Sequence, residues 1–207
     1  ITFTVIWNSI VSIAEELGTT MRHTAFSEAV REGDDFSTAV FDAQGRMISQ
    51  GNFSPGHLGS MPFVIRHVEK AFPPETLKPG DAIMLNDSWM GSGHFPDVFQ
   101  IMPVFDDEAS LIGYVGASAH QMDMGGAAPG SQKVHGVTES FQEGIRILPV
   151  RFCREGVVDQ DILRLILGNV RVPDKVRGDM MAQHTANLTA AERFRALFRD
   201  QGRERVE

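Results

Sequence analysis

The chain has 207 residues, of which 42% are hydrophobic and 22% charged, enough apolar content to bury a core and too much for a disordered segment. A net charge of −8 and a pI near 5.3 argue against binding that relies on neutralising phosphates, so nucleic acid is not an expected partner. Cys153 is the only cysteine, which excludes an internal disulfide framework and a cysteine-based zinc cluster and points to a reducing, cytoplasmic setting.

The start at Ile1 shows neither a basic leader region nor a small-residue cleavage site, and no run approaches the ~20 apolar residues that span a bilayer, so no membrane association is expected. Ile6, Ile10, Ile13 and Leu17 recur at helical spacing opposite Glu15 and Glu16, which predicts an amphipathic helix over about residues 3–26 with a weak point at Gly18. From Phe36 onward, two short apolar runs flank Asp42-Ala43-Gln44-Gly45, a hairpin signal. Ser60 is a candidate cap for a helix through "SMPFVIRHVEKAF" that ends before Pro73-Pro74. "PGDAIMLND" reads as a turn feeding a buried strand, and "VFQIMPVFDDEASLIGYVGASAH" as two strands joined across an acidic turn.

A Gly/Pro/Ser-rich loop follows from Gly125 to Gly136, long enough to be functional. From about Asp159 the pattern is helical again, through "DILRLILGNV" and a longer helix from about Pro173 to Phe198. Hairpin-paired strands between terminal helices predict the α+β class. The expected architecture is a largely antiparallel sheet region flanked by an N-terminal amphipathic helix and C-terminal helices, as one compact domain over residues 1–207.

The segment most informative about chemistry is "LNDSWMGSGHFPDV", where His94 and Asp97 stand three apart in a Gly-rich loop leaving a strand. A neutral imidazole and an anionic carboxylate are the donors that Mn, Zn or Fe accept, although a loop histidine capped by an aspartate gives the same short pattern. "GASAHQMDMGG" repeats the spacing with His120 and Asp123 at the end of another predicted strand. If the two strands are neighbours, the pairs can meet at one ion; otherwise His120 is a buried, hydrogen-bonded histidine and Asp123 caps the glycine turn. Glu32, Asp34 and Asp35 could complete a coordination shell or form a solvated acidic turn. His57 lies in a loop able to line a pocket, and Glu139 and Glu143 are candidates for acid/base or supporting roles. Arg171, Arg177, Asp179, Gln183 and Asn187 could bind an anion, but mutual satisfaction beneath the sheet is the better reading of them. No phosphate-binding loop, dinucleotide fingerprint or nucleophile elbow is present.

Taken in order, "SIAEELGTTMRHTAFS", "REGDDFSTAVFDAQGRMISQ", "HLGSMP", "PGDAIMLND", "GHFPDV", "SAHQMDMGG", "QEGIRILPV" and "NVRVPDKVRGDMMAQHTAN" resemble the hydantoinase B family over nearly the whole chain. That family includes N-methylhydantoinase subunits, the C-terminal region of 5-oxoprolinases and the large subunits of acetone and acetophenone carboxylases. The resemblance implies a divalent metal, manganese first and zinc or iron as alternatives. Its ligands would be Glu32, His94, Asp97 and His120. Asp123, placed to orient a ligand, and His57 are the catalytic candidates beside it.

The implied activity is that of an ATP-dependent cyclic amide hydrolase of hydantoinase or oxoprolinase type. It would work in a hetero-oligomer with a hydantoinase A-like subunit that binds ATP. A ketone carboxylase subunit and a non-catalytic assembly subunit are the alternatives. The family's "N-D-P-Y" is here Asn86-Asp87-Ser88-Trp89, its "G-G-T-H" is Gly91-Ser92-Gly93-His94, and the second His of its pair is Gln121, so the pocket around the ligands differs. Family members are commonly more than twice this length, and the expectation is that this chain corresponds to their amino-terminal portion.

Overall fold

The structure, a computed structural model, describes residues 2–91, 93–133 and 135–206. Helix α1 spans Thr2–Thr24 and buries Ile6, Ile10, Ile13, Leu17 and Met21, the stripe that its spacing predicts. Gly18 does not weaken it. A Cβ there would lie 2.0 Å from the Phe53 ring, so the missing side chain is what lets the loop aromatic pack onto the helix. After α1, Ser27 caps the short α2 (Glu28–Arg31) by accepting the Val30 N–H.

Strands β1 (Phe36–Asp42) and β2 (Met47–Gln50) form the expected hairpin, closed by Gly45 at φ +69° and by Asp42 Oδ1, which accepts from the Gln44 and Arg46 amides. Helix α3 is Met61–Ala71. Ser60 precedes it but does not cap it: its backbone is already helical and its hydroxyl donates to the His57 carbonyl at 2.8 Å. β3 (Ala82–Leu85), β4 (Asp97–Phe105) and β5 (Leu111–His120) follow the sequence expectation. Two strands went unforeseen, β6 (Val150–Arg154) and β7 (Val157–Val158). The chain then runs through α4 (Gln160–Leu167) and α5 (Pro173–Gln201).

The seven strands make one sheet in the order β2-β1-β5-β4-β3-β6-β7, with every neighbouring pair antiparallel. Its two faces are both covered. On one, Val98, Met102, Val115, Ala117 and Ala119 pack with the apolar stripe of α1 and with Met180, Ala186 and Phe194 of α5. On the other, Ala39, Phe41, Phe99, Ile101 and Tyr114 pack with Met61, Val64, Ile65 and Val68 of α3. Every residue of β4 is consequently buried, which is why that strand reads as a largely apolar run, broken by Asp97 and Gln100, rather than an alternation.

The polar residues of α5 serve this packing. Gln183 donates to the Val98 and Ala117 carbonyls at 2.9 and 2.7 Å, Asn187 donates to the Gln100 carbonyl at 3.2 Å, and Asp179 accepts the Phe26 and Ser27 amides. Mutual anchoring beneath the sheet is thus the role of this segment. No helix among the described residues is long and apolar enough to cross a membrane.

Candidate metal centre

β4 begins where β5 ends. Asp97 and His120 are direct partners in the antiparallel register, so their side chains leave the sheet on the same face. His94 comes from the loop before β4. That loop is pinned by Asn86, which donates to the Phe95 carbonyl at 2.7 Å, and by the Gln121 amide, which donates to the Pro96 carbonyl at 2.8 Å. The result brings His94 Nε2 to 2.7 Å and His120 Nδ1 to 3.1 Å from the same oxygen, Asp97 Oδ1. One donor atom from each of the three residues lies within 4.8 Å of the other two. The two strand-end pairs singled out in the sequence therefore do meet, through three of their four members.

Asp97 and His120 are buried, and His94 is half-buried. Burial opposes ionisation of Asp97, but hydrogen bonds from His120, His57 and His94 outweigh it and hold the carboxyl well below the usual carboxylate range. His94 moves the other way: its hydrogen bond to Asp97 raises it against the effect of burial, and the charges of Asp97, Glu143 and Asp35 add to the rise.

These residues fit a divalent ion. Two imidazoles and one fixed carboxylate offer the mixed N and O donors that Mn, Zn and Fe accept. The outer face of His120 fits as well, because Gln132 Nε2 lies 3.0 Å from His120 Nε2. An ion on Nδ1 would require the hydrogen on Nε2, and half a turn of the Gln132 amide presents its oxygen to accept it.

The other sequence candidates fall in different places. Glu32 is exposed at the C-terminal cap of α2 and is not among the residues whose donors converge. Asp35 comes nearer, with Oδ2 3.9 Å from His120 Nδ1 and its carbonyl accepting the His120 amide at 3.0 Å. Asp34 instead forms a two-pronged pair with Arg22. Asp123 is buried, but it is not among the converging donors and its oxygens are taken up by Arg171, accepting the backbone N–H at 2.6 Å and Nη1 at 2.9 Å. The same guanidinium donates to the carbonyls of Gly125, Gly126 and Ala128, so Asp123 and Arg171 together clamp the glycine-rich loop that carries Gln132. His57 is buried beside the cluster, with Nε2 2.9 Å from Asp97 Oδ2 and Nδ1 3.1 Å from Ser37 Oγ. Ser37 and Gln132 were missed by sequence reasoning. Ser37 sits in the "DFS" segment, but nothing local marks it as a partner of a histidine twenty residues later.

The cluster opens onto a cavity of 570 Å³ lined by His94, Gln132, Lys133, Glu139, Gln142 and Glu143, among others. Glu139 accepts a backbone amide in a capping box with Gln142, whereas the Glu143 carboxylate accepts no hydrogen bond among the described residues. The backbone around Glu143 is fixed by close approach to the glycine-rich loop, where the Ala127 amide donates to the Gln142 carbonyl and the Ile145 amide to the Met124 carbonyl. In the altered segment, buried Asp87 pairs with Arg146 and accepts the Trp89 and Met90 amides, while Trp89 is exposed. Of the two departures just before His94, Gly93 sits at φ +103° and Ser92 lies outside the described residues.

The chain is similar to a protein of Pseudomonas sp. (strain NS671) provisionally named as the B component of a D-/L-hydantoinase, at 30% identity over 210 residues, covering all of this chain and 35% of that protein. Among solved structures, the ATP-dependent caprolactamase of Pseudomonas jessenii superposes with a TM-score of 0.86 at 27% identity, over 100% of this chain and 35% of that one. Nucleotide-free acetone carboxylase superposes with a TM-score of 0.87 at 22% identity, over 97% of this chain and 27% of that one, a likeness of fold. The chain spans about a third of the length of the curated relatives first matched. The sequence model of the Hydantoinase B/oxoprolinase family matches residues 1–207, and the chain belongs to that family.

Proposed function

We propose that this chain carries the divalent ion of an ATP-dependent cyclic amide hydrolase of hydantoinase or oxoprolinase type, acting with a hydantoinase A-like subunit that binds ATP. The observation that carries the proposal is the meeting of His94, Asp97 and His120 beside a 570 Å³ cavity whose wall includes His94. Support for the substrate class comes from the similarity to a hydantoinase component and to an ATP-dependent caprolactamase, both named for cyclic amides. Manganese is the first expectation for the ion, with zinc or iron accepted by the same donors.

A divalent ion bound there would supply Lewis-acid polarisation of the substrate oxygen or acidify a water. The chain's own residues do the rest. His94, Asp97 and His120 hold the donors at one end of the central β4–β5 pair, where strand pairing fixes two of them. Glu143, lining the same cavity, would take a proton from the attacking water on its carboxylate and pass it to the ring nitrogen as the amide opens. Lys133 offers the cavity a positive charge for an anionic substrate group.

The test is metal analysis of protein purified without chelator, followed by assay with ATP and the ATP-binding subunit. Hydantoins, 5-oxoproline and caprolactam are run against ketones plus bicarbonate. The expected result is ring opening that needs ATP and the ion and is lost in His94→Ala. Carboxylation of a ketone instead would replace the hydrolase reading with the carboxylase one, for which the fold likeness to acetone carboxylase is the support. Negligible metal that His94→Ala leaves unchanged, without turnover of either class, would leave an assembly subunit.

A further inference from the structure

His57 occupies the side of Asp97 that the two donor histidines do not. Asp97 Oδ1 faces His94 Nε2 and His120 Nδ1, while Oδ2 lies 2.9 Å from His57 Nε2. A nitrogen at that distance from a carboxylate carries its hydrogen toward it, so His57 donates to Oδ2. The other ring nitrogen, Nδ1, is 3.1 Å from Ser37 Oγ, whose hydroxyl donates to the Ser54 carbonyl at 2.5 Å and has that one hydrogen to divide between the carbonyl and the ring. All three side chains are buried, at 0% exposure for Ser37, 5% for His57 and 4% for Asp97. Two separate backbone features hold the ring. Ser37 is in the β1 ladder, paired with Ser118 of β5, and the His57 carbonyl accepts from the Ser60 amide and hydroxyl at the entrance to α3. Phe99 presents an edge-to-face contact to the imidazole at 6.2 Å between ring centres.

A carboxylate that accepts a hydrogen bond on one oxygen is held against rotation about its Cβ–Cγ bond, and it presents only the other oxygen to whatever the donors surround. We infer that His57, braced by Ser37, is a positioning residue that fixes Asp97 as a one-oxygen ligand, with Oδ1 toward the ion and Oδ2 withheld. The inference rests on the metal reading of the site and adds to it a residue that touches no ion itself. It assigns "HLGSMP", which follows the β1–β2 hairpin, and the serine of "DFS", which lies in β1, to one task. Partners of this kind commonly change metal affinity by ~10–100-fold when removed.

The experiment is titration of metal-free protein with Mn²⁺, following free ion by electron paramagnetic resonance, with Co²⁺ absorption as a readout of coordination. Wild type is compared with His57→Phe, His57→Gln and Ser37→Ala, and circular dichroism is recorded for each. His57→Phe is expected to weaken Mn²⁺ binding ~10–100-fold and to lower the Co²⁺ absorption coefficients, as Asp97 turns both oxygens to the ion and raises its coordination number. His57→Gln, whose amide can still donate to Oδ2, restores most of the affinity and the wild-type spectrum. Ser37→Ala gives a smaller loss with the same spectral trend, and it decides the matter if His57→Phe does not fold. Wild-type affinity and an unchanged spectrum in both His57→Phe and Ser37→Ala would overturn the assignment while leaving the metal site standing. Failure of wild type itself to bind Mn²⁺, Co²⁺ or Zn²⁺ would remove the metal reading, and this one with it.

Discussion

Arg171→Ala tests how the glycine-rich loop is held over the cavity. The substitution leaves Asp123, only 2% exposed at its side chain, with the Arg171 backbone N–H as its surviving partner from that residue, and it strips donors from the carbonyls of Gly125, Gly126 and Ala128. Breaking a fully buried ion pair from one side costs about 3–5 kcal/mol. Here the guanidinium is 40% exposed, so water can replace part of it, and a loss of about 2–3 kcal/mol is expected. For a chain of this size that is a fall in melting temperature of about 4–12 °C. Thermal and urea unfolding give the global cost, and amide hydrogen exchange over residues 124–133 gives the local one, with faster exchange expected there than in β4 or β5. Replacing both partners, Asp123→Asn with Arg171→Ala, should recover at least half of the loss, because no buried charge is then left unpaired. A loss below about 0.5 kcal/mol with unchanged exchange would refute the clamp.

Gly144→Ala should destabilise by more than about 1 kcal/mol, since φ is +148° and a Cβ would fall 2.3 Å from the Met124 carbonyl oxygen; urea unfolding measures it. Ser118→Ala should cost nothing or gain up to about 1 kcal/mol, because its buried hydroxyl has no hydrogen-bond partner among the described residues. His184 is buried edge-on to Phe152, and desolvation holds its pKa below the usual 6.5. The unfolded chain therefore takes up the proton first, so stability present above pH 6.5 is lost as pH falls through that value toward the lowered folded one. Urea titrations from pH 7.5 to about 5 should show that slope reduced in His184→Leu, the difference between the two proteins cancelling the opposite contribution of His94, whose raised pKa adds stability on the acid side.

Where burial on one helical face dictates the pattern, the fold was legible in the residues: α1 from its isoleucines, α3 from the run ending at Pro73, and β4 and β5 from long apolar segments joined by an acidic turn. Strand β6 was not, because Val150-Arg151-Phe152-Cys153-Arg154 is short and interrupted by arginines, and its extended form is imposed by pairing with β3. Its turn into β7 places Glu155 and Gly156 at φ +47° and +87°, a hairpin geometry that Asn-Gly would have announced and Glu-Gly does not. His94, Asp97 and His120 could be picked out because two strand ends in one hairpin must lie together. The duty of Asp123 could not be read, since its partner is 48 residues further on, and neither could the bond between His57 and Asp97, 40 residues apart. Such pairings are set by tertiary packing and leave no local trace.

Because Asp97 and His120 sit opposite one another in a ladder that keeps its register from Asp97 to Val104, their spacing is inherited from the pleat of the sheet and owes little to loop sequence. A slip of a single residue would send one of them to the α5 side of the sheet, so the far turn at residues 106–110, at the other end of the two strands, works as a gauge for the donors. The cavity wall that carries Gln132, Glu139 and Glu143 lies outside the ladder, and Gln132 reaches it through a side-chain contact with His120. Divergence can therefore rewrite which molecule is admitted while the grip on the cation stays put, a division of labour built into the architecture.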